Sequence, residues 1–233
     1  MNIALIGYGR MGKTIERIAR DRGHAIVYIN NGGILDIEQV KLADVAIEFT
    51  QPDAAAENIT KLLTAGIPVV SGTTGWLEAK NMVDQVASAQ EIGFVHASNF
   101  SLGVNLFFAF NEKLAKMMNQ YEDYQPHIHE VHHKGKKDEP SGTAITAAEG
   151  ILKAYPDLKR WTMDLESKGL TISAERMDPY FGTHVVSYAS PIDTIELKHE
   201  AHSREGFALG AVIAAEWLPG KKGPHSMKDV LDL

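Results

Sequence analysis

The chain has 233 residues, of which 44% are hydrophobic and 23% charged, the composition of a globular protein with one large or two modest domains. A formal net charge of −7 argues against a nucleic-acid-binding protein, because neutralising phosphates requires a broad basic face. The absence of cysteine excludes disulfide bonds, thiolate metal sites and a cysteine nucleophile. We predict no signal peptide, since a strand pattern starts at once, and no membrane helix, since no apolar run reaches ~20 residues. We therefore expect a cytoplasmic protein.

A glycine-rich turn follows the first predicted strand. Residues 3–6 are a continuous apolar run typical of a buried parallel strand, and residues 13–22 have a helical pattern. In dinucleotide-binding folds, glycines between a strand and a helix permit a tight turn and close approach of the backbone to pyrophosphate. A glycine turn without a ligand is the alternative. We predict that the turn binds a dinucleotide through Gly7, Tyr8, Gly9, Arg10, Met11 and Gly12.

The end of the second predicted strand, residues 25–29, bears on the choice between NADH and NADPH. An acidic residue there would bind the ribose 2′-hydroxyl, and a nearby arginine would bind a 2′-phosphate. The chain has Asn30, followed by Asn31, Gly32 and Gly33. Asparagine can bind a hydroxyl without repelling a phosphate, so we predict that both cofactors are used, with a modest preference for NADH.

Two further loops follow predicted strands of the same βα pattern. Strands are predicted over 44–49, 67–71 and 93–96, with helices over 52–65 and 77–89. Loops at the carboxyl ends of such strands bind the ligand of an α/β sheet. We predict that these loops contact the nicotinamide end of the cofactor through Gly72, Thr73, Thr74, Ala97, Ser98, Asn99 and Phe100.

A basic loop lies between a predicted strand over 125–131 and a predicted helix over 143–154. A long helix predicted over 102–119 precedes them, and we expect it to bridge two domains. Its three lysines are Lys134, Lys136 and Lys137, and in an acidic protein they form a local positive focus that suits a small anion. Ser141, Gly142 and Thr143 have the pattern of a helix N-terminus, where free amides and hydroxyls can bind a carboxylate. The alternative is a capping serine beside solvated lysines.

Four histidines precede or enter this loop, and they raise the question of a metal site. In an extended strand, His127, His129 and His133 would share one face, with His132 on the other. We predict no metal, because the lysines would repel a divalent cation. Acid–base chemistry is favoured for the paired histidines, since imidazole titrates near neutrality, whereas His127 and His129 are expected to be ordinary strand residues.

Residues 130–144 read E-V-H-H-K-G-K-K-D-E-P-S-G-T-A, and this run resembles the signature E-x-H-H-x-x-K-x-D-x-P-S-G-T-A of the dihydrodipicolinate reductase family. The loops G-T-T-G and A-x-N-F-S also resemble that family. The resemblance implies NAD(P)H-dependent reduction of 4-hydroxy-tetrahydrodipicolinate in lysine and diaminopimelate synthesis by a homotetramer. It further implies that His132 is a proton donor or acceptor, that Lys136 is a second proton donor, and that His133, Gly142 and Thr143 bind the substrate carboxylates.

The C-terminal third changes from βα alternation to extended segments. Antiparallel strands are predicted over 171–177, 183–189 and 193–201, and with the strand before the loop they suggest a four-stranded sheet. In the last strand Ile195, Leu197 and His199 share a face, which we expect to pair between subunits. Arg204 is a candidate cofactor or substrate contact, with a structural ion pair as the alternative, and Arg176 is a weaker candidate.

The predicted fold class is α/β, with an N-terminal Rossmann-type parallel sheet and a C-terminal α+β domain. Residues 207–217 are apolar on nearly every side, so we expect them to be buried and to return the chain to the first domain. The predicted domains are 1–100 with 208–233 for dinucleotide binding, and 101–207 for substrate binding and oligomerisation. Two other functions stay open: another Rossmann oxidoreductase of amino-acid metabolism, and a non-catalytic NAD(P)-binding regulator.

Overall fold

The computed structural model describes residues 1–203 and 205–233, so the predicted contact Arg204 lies outside the described residues. The chain divides into two compact units. Unit one is Met1–Leu102 with Glu205–Leu233, and unit two is Gly103–Arg204. The predicted α/β fold class, with a Rossmann-type sheet and a second sheet, is confirmed. The assignment of dinucleotide binding to one unit and substrate binding to the other stays a prediction.

Unit one contains a six-stranded parallel sheet in the order β11-β5-β4-β3-β1-β2. Its strands are β1 Asn2–Ile6, β2 Ala25–Asn30, β3 Val45–Glu48, β4 Val69–Ser71, β5 Gly93–His96 and β11 Gly223–His225. Its helices are α1 Arg10–Asp21, α2 Ile37–Val40, α3 Pro52–Thr64, α4 Lys80–Ala89, α7 Glu205–Trp217 and α8 Met227–Leu231, with a 3₁₀ turn over Leu77–Ala79 before α4. The first helix starts three residues earlier than predicted, inside the glycine turn.

The apolar run of β1 is explained by helices on both faces of the sheet. Ile3 and Leu5 pack in a core with residues of α1 and α7. Ala4 and Ile6 point the other way and pack in a core with residues of α3 and α4. Because alternate residues of a strand face opposite sides, a strand buried on both faces must be apolar throughout.

Helix α7 is buried within the core of unit one, as its composition predicts. A Cβ atom at Gly210 would overlap the carbonyl oxygen of Phe100, so the glycine permits close packing of α7 on the loop after β5. The described helices include none that is long and apolar enough to cross a membrane.

Unit two contains a five-stranded mixed sheet in the order β10-β9-β6-β8-β7, where four strands were predicted. The elements are α5 Leu102–Met118, β6 Gln125–His132, α6 Gly142–Leu152, β7 Trp161–Thr162, β8 Leu170–Arg176, β9 Thr183–Ala189 and β10 Thr194–Glu200. The additional strand, β7, has only two residues and no pattern of its own. The prediction that β8 is antiparallel was wrong: β8 runs parallel to β6, because α6 lies in the crossover between them.

The face of β10 with Ile195, Leu197 and His199 lies on the core side of the sheet, and its pairing between subunits stays a prediction. Ile195 and Leu197 pair with Tyr188 and Val186, which are buried on the core side of the sheet beneath α5 and α6. The apolar face of β10 is therefore partly covered by the protein's own helices. The opposite face carries polar side chains such as His127 and Ser173.

Candidate active site

The glycine turn between β1 and α1 has the geometry that close packing and ligand approach require. Gly7 has a φ of +95°, and its N–H donates to the carbonyl of Asn30 over 2.9 Å. A Cβ atom at Gly7 would overlap the carbonyl oxygen of Phe49, and one at Gly12 would overlap that of Gly7. At Gly9, by contrast, the space around a Cβ is open. Gly7 and Gly12 therefore serve packing, and Gly9 leaves the turn accessible.

Helix α1 begins at this turn without a competing acceptor. Its N-cap is Gly9, which offers no side-chain hydrogen bond, and its first turn has no acidic residue. The first N–H groups of a helix need acceptors, and an anion can supply them. Arg10 is exposed, Met11 is half-buried, and Tyr8 donates a hydrogen bond to Glu16 that raises the pKa of the tyrosine. The turn fits the pyrophosphate of a dinucleotide.

Asn30, at the end of β2, hydrogen-bonds both to the glycine turn after β1 and to the loop that follows β2. Its side chain is buried, and its Oδ1 accepts from the N–H of Gly32 over 3.0 Å. Gly32 and Gly33 have φ values of +109° and +83°, which the left-handed region permits readily only for glycine. The predicted cofactor contact therefore also shapes its own loop.

Glu48, which the sequence analysis did not single out, anchors the loops after β3 and β4. Its carboxyl group is fully buried and accepts hydrogen bonds from the hydroxyls of Thr50, Ser71 and Thr73 and from the N–H of Thr50. A glutamate that ends an otherwise apolar strand was the available signal. Because buried polar groups need partners, this carboxyl group fixes the course of both loops.

The predicted nicotinamide-side residues follow β4 and β5, at the same edge of the sheet as the glycine turn. Thr73 is buried, and its carbonyl accepts from the indole N–H of Trp76 over 2.7 Å. Thr74 is exposed and Gly72 half-buried. Asn99 Oδ1 accepts from the N–H of Ser101 over 2.9 Å, and Phe100 packs on Phe49, whereas Ala97 is half-buried and Ser98 is exposed. Thr73 is thus committed by its side chain to Glu48, and only its neighbours present polar groups outward.

In unit two, the loop after β6 presents Lys136 paired with an acid. Lys136 Nζ lies 2.9 Å from both carboxylate oxygens of Asp138, and this pairing lowers the pKa of Asp138. Lys134 and Lys137 are exposed, and His133 is half-buried. The positive group of this loop is therefore Lys136, paired with a carboxylate whose side chain is 58% exposed.

Helix α6 begins as predicted, with Ser141 as its N-cap. Ser141 Oγ accepts from the N–H of Ala144 over 3.2 Å and lies 3.1 Å from Nε2 of His184. Ser141 is buried, whereas Gly142 is exposed with open space around it, and Thr143 is half-buried. The exposed helix start at Gly142 and Thr143 can accept an anion, while the Ser141 hydroxyl is used inside the unit.

Behind this helix start lies a buried cluster of Glu130, His132, His184 and Arg176. Glu130 is 0% exposed, His132 7% and His184 3%. Arg176 Nη2 donates to Glu130 Oε1 over 3.0 Å, and Ser141 N–H donates to the same carboxylate. Burial raises the pKa of Glu130, but hydrogen bonds from His132, His184 and Ser141 outweigh it and hold the pKa well below its ordinary range. His132 therefore sits in a charged cluster.

His184 was missed by the sequence analysis. It has no histidine neighbour in the chain. It reaches the site because β9, which contains it, pairs with β6 in a register that places His184 opposite Glu130. Burial lowers its pKa, and a hydrogen bond to Glu130 opposes that shift. Only the strand register, which the sequence does not display, joins it to His132.

Glu130, His132 and His184 place three possible metal-ligand atoms within 4.8 Å of one another. The carboxylate, however, already accepts from the guanidinium of Arg176, a cation that would repel a metal ion. The cluster as the structure has it therefore disfavours a divalent cation. His127 and His129 lie on the opposite face of the sheet and bond to Thr171 and Ser173, as expected for ordinary strand histidines.

Two family models match this sequence. One is described as dihydrodipicolinate reductase, N-terminus, and matches residues 1–100. The other, dihydrodipicolinate reductase, C-terminus, matches residues 103–231. A curated 4-hydroxy-tetrahydrodipicolinate reductase from Christiangramia forsetii is 51% identical over 99% of this chain and 98% of its own length.

Solved structures share the fold. Dipicolinate-bound dihydrodipicolinate reductase from Paenisporosarcina sp. TG-14 superposes with a TM-score of 0.82 over 97% of both chains at 21% identity. Amine dehydrogenase from Mycobacterium smegmatis gives a TM-score of 0.57 at 9% identity, over 97% of this chain and 94% of its own. The likeness to both structures shows a common fold.

Proposed function

The chain belongs to the dihydrodipicolinate reductase family, and from that membership we propose which of its residues carry the reaction. The protein is an NAD(P)H-dependent oxidoreductase that reduces 4-hydroxy-tetrahydrodipicolinate to tetrahydrodipicolinate, a step of lysine and diaminopimelate synthesis. Water leaves and one proton is consumed in each turnover. The residue roles therefore divide into holding the cofactor, gripping the substrate carboxylates and supplying the proton.

NADH or NADPH supplies a hydride when bound. Gly9 and the uncapped start of α1 would hold its pyrophosphate, because the turn is open there and lacks an acidic side chain. Asn30 and the exposed residues after β4 and β5 would contact the ribose and the nicotinamide end. Comparing kcat/KM for the two cofactors tests the predicted dual use. A ratio beyond about a hundredfold, ~2.7 kcal/mol, would contradict it.

The substrate is a small cyclic dicarboxylate in this proposal. Lys136, whose counter-ion Asp138 is largely exposed and can be displaced, would bind one carboxylate. The open helix start at Gly142 and Thr143, with His133 nearby in the loop, would complete the anion site. Ser141 contributes by capping α6, since its hydroxyl faces Ala144 and His184. The dipicolinate bound to the Paenisporosarcina reductase is a dianion of the same class.

His132 is the proposed proton donor, with Lys136 as the second acid. The single observation that carries this role is the buried contact of His132 with Glu130 and His184, which gives it a charged environment next to the anion-binding helix start. A positioned general acid contributes about 10²–10⁴-fold to a rate. Arg204, outside the described residues, stays a predicted contact of the cofactor or the substrate.

The experiment that tests the function is oxidation of NADH by the purified protein when freshly generated 4-hydroxy-tetrahydrodipicolinate is added. Turnover with this substrate and none with an amino-acid semialdehyde separates the proposal from another Rossmann oxidoreductase. NADH binding without turnover of any substrate would favour a regulator and contradict the proposal.

A homotetrameric assembly and a cytoplasmic location are also proposed, from the family. Strand β10 lies at the edge of its sheet with Ile192 and Ile195 exposed beside it, and an uncovered edge strand is suited to pairing with another chain. Use of NAD(P)H from the metabolic pool fits the cytoplasm. Light scattering coupled to size-exclusion chromatography tests the tetramer, and a monomeric mass would contradict it.

A further inference from the structure

Behind His132 lies a pair of imidazoles in direct contact. His132 Nε2 is 3.2 Å from His184 Nε2, and Glu130 Oε2 lies 3.5 Å and 3.7 Å from the two nitrogens. The strands dictate this arrangement: Glu130 pairs with His184 across β6 and β9, and His132 follows two residues later on the same face. All three side chains are buried, so their partners are chosen by the fold and not by solvent.

Two ring nitrogens at this distance can be stable neighbours only if one carries a proton and the other accepts it. Among the described residues, the polar partners of the His132 ring are both at Nε2. Nδ1 lies beside Gly182, where the missing side chain leaves room for a ligand. When Nε2 of His132 donates to His184, Nδ1 also carries a proton only if the ring is the imidazolium cation. The two nitrogens of the His132 ring therefore have different surroundings: Nε2 contacts His184 and Glu130, and Nδ1 is available to a ligand.

The charges around the pair decide whether that second proton is present. His132 itself, Lys136 in the loop and His199 on β10 are the protonatable groups that act on His184, and they disfavour a positive charge there. Glu130 is the carboxylate that opposes them from β6. Arg176 on β8 pairs with Glu130. Burial lowers the pKa of His184, which makes His184 the neutral partner of the pair.

We propose that Glu130 and His184 are positioning residues for the reductase reaction, which keep His132 protonated and orient its ring so that Nδ1 delivers the proton. This inference rests on the role of His132 given above. In the balanced reaction the substrate takes one hydride and one proton and loses water. The proton leaves Nδ1 of His132, and solvent restores it to the imidazole pair before the next turnover.

Glu130→Gln is the sharpest variant. Its amide oxygen can still accept from Arg176 and from the Ser141 N–H, while its NH₂ group replaces the oxygen that faces both imidazoles. The descending limb of the kcat–pH profile should move to lower pH by about one unit or more, since an opposite charge within this distance shifts a pKa by about 1–3 units. KM for the substrate should change by less than about threefold.

The matched control is Glu175→Gln, which also removes one negative charge from the same sheet. Glu175 is largely exposed and lies 3.8 Å from His129 on the opposite face. Its pH profile should match the wild type. Equal shifts in both variants, or a fall in kcat at every pH without a shift in Glu130→Gln, would overturn the proposal and leave a structural role.

Two further measurements keep the test decisive if Glu130→Gln does not fold. His184→Gln can hydrogen-bond to His132, but an amide oxygen is a weaker proton acceptor than an imidazole nitrogen, so this variant should shift the profile in the same direction. In the intact wild-type protein, ¹⁵N NMR of histidine should show both nitrogens of His132 protonated near neutral pH, with His132→Gln used to assign the signal. A neutral His132 there would overturn the proposal.

The proposed function and this inference fail in different ways. Unchanged kcat in His132→Gln would remove His132 from the chemistry. It would then refute both the proton-donor role of His132 and the positioning role of Glu130 and His184. A large loss in His132→Gln, with an unshifted profile in Glu130→Gln and His184→Gln, would leave the function standing and refute only the role of the two positioning residues.

Discussion

Glu48 in unit one and Glu130 in unit two are both fully buried, yet their carboxyl groups are satisfied in opposite ways. Glu48 accepts from three hydroxyls and one N–H, all neutral donors. Glu130 accepts from the N–H of Ser141 but also from a guanidinium, and it lies beside two imidazoles. A hydroxyl can turn and accept instead of donate, whereas a guanidinium cannot. Glu48 therefore fixes the loops after β3 and β4, whereas Glu130 is the counter-ion of Arg176.

Because of this difference, we expect substitutions in the cluster around Glu130 to lower kcat and substitutions of Glu48 to lower the free energy of unfolding. His132→Gln should lower kcat by about 10²–10⁴-fold with little change in substrate KM, because the lost group is a general acid and not a carboxylate ligand. The control is His129→Gln, on the same strand but facing Ser173 on the other side of the sheet. Steady-state kinetics that gave both variants the same kcat would erase the distinction between the two faces.

Unit one should respond in stability. Glu48→Ala leaves the donors of Thr50, Ser71 and Thr73 without their acceptor and should lower the free energy of unfolding by about 2–4 kcal/mol. Glu48→Gln should cost less than about 1 kcal/mol, since the hydroxyls can reorient towards the amide. Urea denaturation compares the two. A glutamine variant as unstable as the alanine variant would show that the charge itself matters at Glu48.

Acid should affect unit two before unit one. The pKa values of His127, His184 and His199 are lowered by burial, so the unfolded chain binds more protons and stability falls once the pH drops below the ordinary histidine value of 6.5. The lowered pKa of Glu130 adds a further loss below its ordinary value of 4.5. In unit one, among the described residues, His96 is the one histidine whose pKa burial lowers. Because unit two has three such histidines, it should lose more stability in acid than unit one.

Hydrogen exchange of the whole chain, followed by mass spectrometry and corrected for intrinsic rates, checks this order. Peptides from β6 and β9 should lose protection at a higher pH than those from β1 and β3. Simultaneous loss in both units, or earlier loss in unit one, would contradict the assigned difference.

The smallest effect is expected at Asp138. Its carboxylate forms an ion pair with Lys136, so Asp138→Asn should leave the lysine without that partner and tighten dicarboxylate binding. The gain should be about threefold or less, because an ion pair with an exposed carboxylate contributes little free energy. The asparagine keeps the backbone carbonyl that accepts from Arg176. Weaker binding in calorimetry would instead mean that Asp138 orients Lys136 for the ligand.

The features predictable from the sequence were those encoded by neighbouring residues. The glycine turn, the cap at Ser141 and the basic loop depend on spacings of a few residues, and the structure has each in its predicted place. Glu48 and His184 depend on partners more than twenty residues away, brought together by strand pairing. For the same reason the parallel direction of β8 and the short strand β7 could not be predicted from local pattern.

Binding of a substrate carboxylate by Lys136 is the central proposal for the loop after β6. Calorimetric titration with pyridine-2,6-dicarboxylate, at saturating NADH, tests it in Lys136→Met against Lys137→Met, the exposed lysine next to it. Loss of a charged hydrogen bond at Lys136 should weaken binding by about 10–100-fold, and the Lys137 variant should stay within about threefold of the wild type. Equal weakening in the two variants, or none in either, would contradict the claim.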